Sequence, residues 1–183
     1  MTIESGSETT YQKYFGETHN MVRQTVRKFV EREIKPFVDE WEEKGEFPRE
    51  LYRKAAEAGF LCIGYPEEYG GSEGDVFVKI AAGEELMRCG SMGVTAGLGS
   101  LDISIPPILV LGTEEQKSRF IQPVLRGEKI SALGITEPNA GSDVANIRTR
   151  AVRDGDHYVV NGSKMFITSG ARAAISFRDM PST

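Results

Sequence analysis

The sequence predicts an α+β fold: an all-helical bundle followed by the start of an antiparallel β domain. Three observations carry this reading. Up to Arg126 the chain reads as a series of helices, the first of which, over 15–41, repeats apolar residues at three and four positions with charges between them. After Gly127 the period changes to the alternation of strands. Two turn dipeptides, Asp154-Gly155 and Asn161-Gly162, then follow in series, as they do between antiparallel strands. The boundary is placed near 125–130.

At 183 residues with 39% hydrophobic content, the chain can bury a core and hold one domain plus the beginning of another. Its 22 Lys and Arg against 27 Asp and Glu argue against nucleic acid as main partner, because phosphate neutralisation needs clustered basic charge. No run is read as approaching the length of a membrane span, and MTIESGSETT has neither the basic start nor the apolar centre of a signal peptide. The chain therefore reads as cytosolic, although an imported protein stripped of its leader would carry the same pattern. Cys62 and Cys89 lie in no CxxC or Cys/His cluster and are expected as buried free thiols, with no metal site. His19 and His157 are far apart, and His157 reads as a surface or core-edge residue.

Residues 1–10 are small and polar, and are expected to be flexible. Over 15–41 the stripe of Val22, Val26, Phe29, Val30, Ile34, Phe37, Val38 and Trp41 predicts one long helix, bent near Pro36 where a donor is missing and closed by Lys44-Gly45. Trp41, on that stripe, is expected in the core. Pro48 opens a second helix that Gly59 stops. Residues 60–74 form a turn-rich loop in which Glu67 and Glu68 are solvated. Asp75 caps a third helix, with Glu84 and Glu85 on its polar face and Gly90 at its end. The next segment, SMGVTAGLGSLDISIPPILVLG, is apolar and rich in small residues, and Pro106-Pro107 is expected to divide it. Thr113 to Gln116 reads as a capping box opening a helix that stops at Gly127.

Beyond Gly127, residues 130–136 read as a strand, 147–153 alternate, Asp154-Gly155-Asp156 turns, and 158–160 lead into Asn161-Gly162. The chemistry is expected in two stretches, SALGITEPNAGSD (131–143) and NGSKMFITSG (161–170). Pro138, Asn139, Gly141 and Ser142 make a loop whose backbone can pass close to a flat ligand and offer donors to it. A short strand over 165–168 is expected to bring Phe166 and Thr168 beside Thr136, an aromatic face and two hydroxyls at one point.

These two stretches resemble the flavin-contacting segments of the acyl-CoA dehydrogenase family, and the likeness runs over about 11–172. The resemblance implies a helical domain over 11–128, the start of an incomplete antiparallel β-barrel over 129–172, and an atypical tail over 173–183. It implies FAD as cofactor, an acyl-CoA thioester as substrate, α,β-dehydrogenation to the trans-2-enoyl thioester, and electron-transfer flavoprotein as acceptor. In that chemistry a carboxylate takes the Cα proton while hydride leaves Cβ for the flavin, and holding the reactants in place saves about 7–11 kcal/mol. Carried onto this sequence, Leu133, Ile135 and Thr136 lie against the flavin ring, with the Thr136 hydroxyl near its polar edge. Gly141 and Ser142 meet the cofactor, Ser142 also the substrate side. Phe166 covers a ring face where relatives often carry tryptophan, Ile167 lies beside it, and Thr168 donates to the edge. Helices of the first domain contribute to the acyl pocket, with candidates over 95–105; close helix packing is the alternative reading of that stretch.

The resembled proteins continue with more strands and a helical domain that supplies the catalytic carboxylate, much of the adenylate site and the homo-oligomer contacts. Here AAISFRDMPST departs from that continuation, so the chain is expected to be a truncated form with no catalytic base of its own. Losing such a base costs a factor of roughly 10² to 10⁴. Two other readings stand beside this one: a non-catalytic helical interaction module, and a flavin oxidase or monooxygenase of the same fold.

Overall fold

The computed structural model describes residues 13–173, so the expectations for 1–10 and for 174–183 lie outside the described residues. The chain divides into two compact units, Met1–Thr95 with Leu125–Gly127, and Ala96–Val124 with Glu128–Thr183.

In the first unit the long helix predicted over 15–41 is found in three pieces. Helix α1 (Glu17–Phe29) passes into a π-turn (Val30–Ile34), and helix α2 (Val38–Lys44) follows. Pro36 lacks an N–H and its ring would strike the carbonyl four residues back, so the ladder widens ahead of it: Lys35 N–H donates to Val30 O at 3.0 Å. Gly45 closes α2 at φ 70, as read. Helix α3 (Glu50–Glu57) is stopped by Ala58 and Gly59, the latter at φ 83. The core here is built from Val26, Phe29, Val30 and Ile34 with Leu51, Tyr52 and Ala55, and Phe29 meets Phe60 edge-on at 4.9 Å. Trp41 does not enter it. It is half-buried, stacked on Phe37 at 5.7 Å, because α2 buries no residue fully.

Helix α4 (Val76–Leu86) is capped as expected: Val78 N–H donates to the Asp75 carboxylate at 2.9 Å. Its Glu84-Glu85 pair corrects the sequence reading. Glu84 stays on the polar side, paired to Arg23 at 2.5 Å, whereas Glu85 is 1% exposed. Arg27 grips Glu85 through Nε at 2.9 Å and through a terminal nitrogen at 2.7 Å, and Arg88 adds a contact at 3.2 Å. A buried carboxylate is tolerable only with such partners. The Arg27 hydrogen bond, with Coulombic help from Arg88 and Arg23, holds its pKa below the usual range against burial. Cys89 is buried as expected, but Cys62 is only half-buried, and burial pushes its thiol pKa up.

Helix α5 (Met92–Leu98) is followed by α6 (Leu101–Leu111), which contains both Pro106 and Pro107. The break expected at the prolines falls instead at Gly99-Ser100. Burial of Leu101, Ser104 and Ile105 offsets the two missing donors, and Ser104 Oγ sits 2.6 Å from Ser131 Oγ. A second correction follows. Met92–Leu111 is long and apolar enough to cross a membrane by length and composition, with 44% of the window buried within the protein, although no single run was read that way. Helix α7 (Glu114–Leu125) opens on the predicted capping box: Thr113 N–H donates to Gln116 Oε1 at 2.9 Å, and Gln116 N–H to Thr113 Oγ1 at 3.2 Å.

The β part consists, among the described residues, of one antiparallel pair, β1 (Arg150–Asp154) and β2 (His157–Asn161), registered from Arg150↔Asn161 to Asp154↔His157. Gly155, at φ 65, makes the two-residue turn. The α+β class is thus as predicted, with a sheet that does not close. Residues 130–136 are not a strand; they run as an irregular segment whose Ser131 side chain bonds to α6. Asn161 ends β2, and neither it nor Gly162 takes a positive φ, so the expected Asn-Gly turn is absent. Gly162 is needed for another reason: a Cβ there would lie 2.1 Å from Thr149 Oγ1.

Candidate functional site

The two stretches singled out in the sequence both lie in the second unit, and backbone hydrogen bonding joins them. Met165 N–H donates to Thr136 O at 2.9 Å. The first stretch then folds on itself: Glu137 N–H donates to Ala140 O at 2.8 Å and Ala140 N–H returns to Glu137 O at 3.1 Å, a tight turn with Pro138-Asn139 at its tip. Pro138 supplies the fixed φ and Asn139 the short polar side chain that such a tip favours. The strand expected over 165–168 does not form. That segment is a turn, with Phe166 at φ 56 and Ser169 at φ 61, closed by Gly170 N–H to Ile167 O at 2.9 Å. Positive φ at a phenylalanine is sterically costly and, as an observed outlier, points to a site.

A buried ion pair holds the two stretches. Glu137 is 7% exposed, and its oxygens accept from Arg148 N–H at 2.7 Å, Thr149 N–H at 3.0 Å, the Thr149 hydroxyl, and Lys164 Nζ at 2.8 Å. Lys164 Nζ also donates to Ile135 O at 2.9 Å. Every donor favours the ionised form, so the Glu137 carboxyl is held down to about 2, with Lys164 the largest cause and burial opposing. Sequence reading quoted both residues inside their motifs and gave neither a role. The available signal was an ammonium that is the only charge of 161–170 and a carboxylate that shares 131–143 with Asp143 alone.

Around this clamp the expected contact residues are placed as follows. Leu133 and Thr136 are half-buried, Ile135 is exposed, and Gly141 and Ser142 are exposed on the loop beyond the turn. Ile167 is half-buried, Thr168 is exposed, and Phe166 presents its ring at 85% exposure. Among the described residues the hydroxyls of Thr136 and Thr168 have no hydrogen-bond partner, so their donors are available. Thr136 is brought to the second stretch through Met165; among the described residues no hydrogen bond joins Gly141 or Ser142 to that stretch. In the stretch over 95–105, Thr95 spends its hydroxyl on Ser91 O at 2.9 Å, while Ser100, Leu101, Ser104 and Ile105 are buried. Asp102 and Ile103 remain exposed.

An uncovered aromatic ring, two free hydroxyls and a backbone fixed by a charged clamp fit a flat heteroaromatic group with a polar edge. Among the described residues no cluster of three or more His, Cys, Asp or Glu side chains could hold a metal. The Glu67 and Glu68 carboxylates are exposed, as expected. His157 is likewise exposed, with its ring nitrogen 3.0 Å from Asp156.

Comparison with known proteins adds to this geometry. Residues 16–128 match the family model for the acyl-CoA dehydrogenase N-terminal domain, and 132–177 match that for the acyl-CoA dehydrogenase middle domain. The short-chain specific acyl-CoA dehydrogenase of Clostridium acetobutylicum is 47% identical over 156 residues, covering 84% of this chain and 40% of that protein. A subunit of the caffeyl-CoA reductase-Etf complex of Acetobacterium woodii is 41% identical over 162 residues, covering 85% of this chain and 41% of its own. Among solved structures, a probable acyl-CoA dehydrogenase from Mycobacterium abscessus superposes with a TM-score of 0.84 at 50% identity, over 87% of this chain and 43% of that one. An acyl-CoA dehydrogenase from Bacillus anthracis, complexed with FAD, gives 0.80 at 35% identity over 87% and 28%. The chain therefore spans about two fifths of the length of the curated relatives described.

Proposed function

The chain belongs to the acyl-CoA dehydrogenase family, and from that premise we propose that it carries part of an FAD site for α,β-dehydrogenation of an acyl-CoA thioester. The observation that carries the proposal is the Met165 N–H to Thr136 O bond, which sets the two motif stretches side by side. FAD, when bound, supplies the hydride acceptor. The Thr136 and Thr168 hydroxyls donate to its polar edge, the Phe166 ring covers one face, and Leu133, Ile135 and Ile167 provide apolar contact. Gly141 and Ser142 offer backbone and hydroxyl donors on the exposed loop, Ser142 toward the thioester side. Electron-transfer flavoprotein is the proposed acceptor, cytosolic the proposed location, and a helical domain ending near 128 the proposed organisation.

The test is a titration with FAD followed by quenching of flavin fluorescence, repeated on T136V/T168V. The chain should quench saturably, and the double variant should weaken binding by about tenfold or more, as expected on losing two hydrogen bonds. No quenching by the unaltered chain would refute the reading.

A second reading is favoured by the reductase subunit at 41% identity: the same site would run in the reducing direction on a 2-enoyl thioester. Adding saturated or unsaturated acyl-CoA to the FAD-loaded protein separates the two. Bleaching of oxidised flavin by the saturated thioester supports dehydrogenation; recovery of colour from reduced flavin on adding the enoyl thioester, without bleaching by the saturated one, supports reduction.

A further inference from the structure

Lys164 is placed differently from any residue the motifs single out. Its ammonium is shared between the Ile135 carbonyl at 2.9 Å and the Glu137 carboxylate at 2.8 Å. Those two groups flank Thr136, whose own carbonyl accepts from Met165, the residue after Lys164. The peptide joining Ile135 to Thr136 thus has a positive charge on its carbonyl, and its N–H belongs to Thr136. A cation on one end of an amide strengthens the donor at the other. Among the described residues that N–H has no partner. We propose that Lys164 is a positioning residue for the ligand at this site: it fixes the Ile135–Thr136 peptide against 161–170 and turns the Thr136 N–H into a polarised donor for the electron-rich edge of the bound group.

This deepens the flavin reading and rests on it. Glu137 takes the supporting part, its carboxylate holding the ammonium in place at 2.8 Å. The Lys164, Glu137 and Ile135–Thr136 arrangement lies within the second unit.

Two measurements on K164M, K164R and E137Q test it. The first uses the protein without ligand: exchange of the Met165 amide proton followed by NMR. K164M should speed it by more than about tenfold, the scale of a lost charged hydrogen bond, and K164R should recover most of the protection. The second is the FAD titration, in which K164M should weaken binding by about tenfold and K164R by less, with circular dichroism unchanged in the far ultraviolet. Unchanged Met165 exchange in K164M overturns the clamp, and unchanged FAD affinity with faster exchange overturns the positioning role. Equal loss in K164R and K164M overturns the part assigned to charge. If the unaltered chain binds no FAD, the flavin reading fails, and the ligand-directed part of the proposal falls with it while the Met165 amide still decides the clamp.

Discussion

Glu137 and Lys164 sit beside the positions the motifs pointed to, and neither was legible as a clamp. A sequence shows that a glutamate precedes a proline; it does not show that Arg148, Thr149 and Lys164 will converge on its carboxylate. The same limit explains Glu85, read with Glu84 as part of the polar face, yet buried under Arg27. Ionic pairing across elements is long-range information, whereas the Asp75 cap and the Thr113–Gln116 box are local and were read correctly. Two expected outcomes belong here. The folded Glu137 carboxyl is held at about 2 against an ordinary 4.5. Its stabilising effect is therefore fully present above pH 4.5 and is lost as pH falls toward 2. Urea unfolding across that range should show E137Q less stable than the unaltered chain at neutral pH, with the gap shrinking below 4.5; a gap independent of pH would contradict the ionised pair. At Gly162, alanine would drive a methyl into Thr149 Oγ1, one of the Glu137 donors. G162A should lower the unfolding midpoint and expose the Glu137 clamp to exchange at the Thr149 amide.

Helices whose ends carry local signals were placed to within a few residues, and those shaped by packing were not. The long first helix was expected to bend at Pro36; the ladder widens to a π-turn over Val30–Ile34 ahead of that proline, and a separate helix starts only at Val38. Pro106-Pro107 was read as a divider because proline removes donors; the burial of Leu101, Ser104 and Ile105 carries α6 through them. Strand signals failed at 130–136 and 165–168 for a related reason: apolar runs take the strand form only where a neighbouring strand supplies partners, and here, among the described residues, the contacts are a serine of α6, the Lys164 ammonium on Ile135 O and the backbone bond between Met165 and Thr136. The capping box is testable by T113A, which should cost about 1 kcal/mol in chemical unfolding. Gly127, at φ 69, lies where a Cβ would be 2.3 Å from Tyr52 O. G127A should cost about 1–2 kcal/mol from backbone strain alone, with more from the clash; a neutral result in thermal unfolding would show that the end of α7 moves freely.

Over the whole molecule, the family and the α+β class were legible because the two motif stretches and the change of period are dense local signals. The surface was less so. Val152, Val159, Val160 and Phe166 are exposed, and β1 and β2 pair, among the described residues, only with each other. Free strand edges with apolar side chains invite pairing with another chain. Light scattering should therefore rise with concentration, and V152K should reduce the rise; a monodisperse monomer at every concentration would contradict this. The account as a whole depends on 131–143 and 161–170 forming one ligand site. Nitrogen-labelled protein titrated with FAD and followed by amide NMR tests that most directly. The amides of Leu133, Ile135, Thr136, Phe166 and Thr168 should shift together, with a single saturation curve. Shifts confined to one stretch, or none in either, would contradict it.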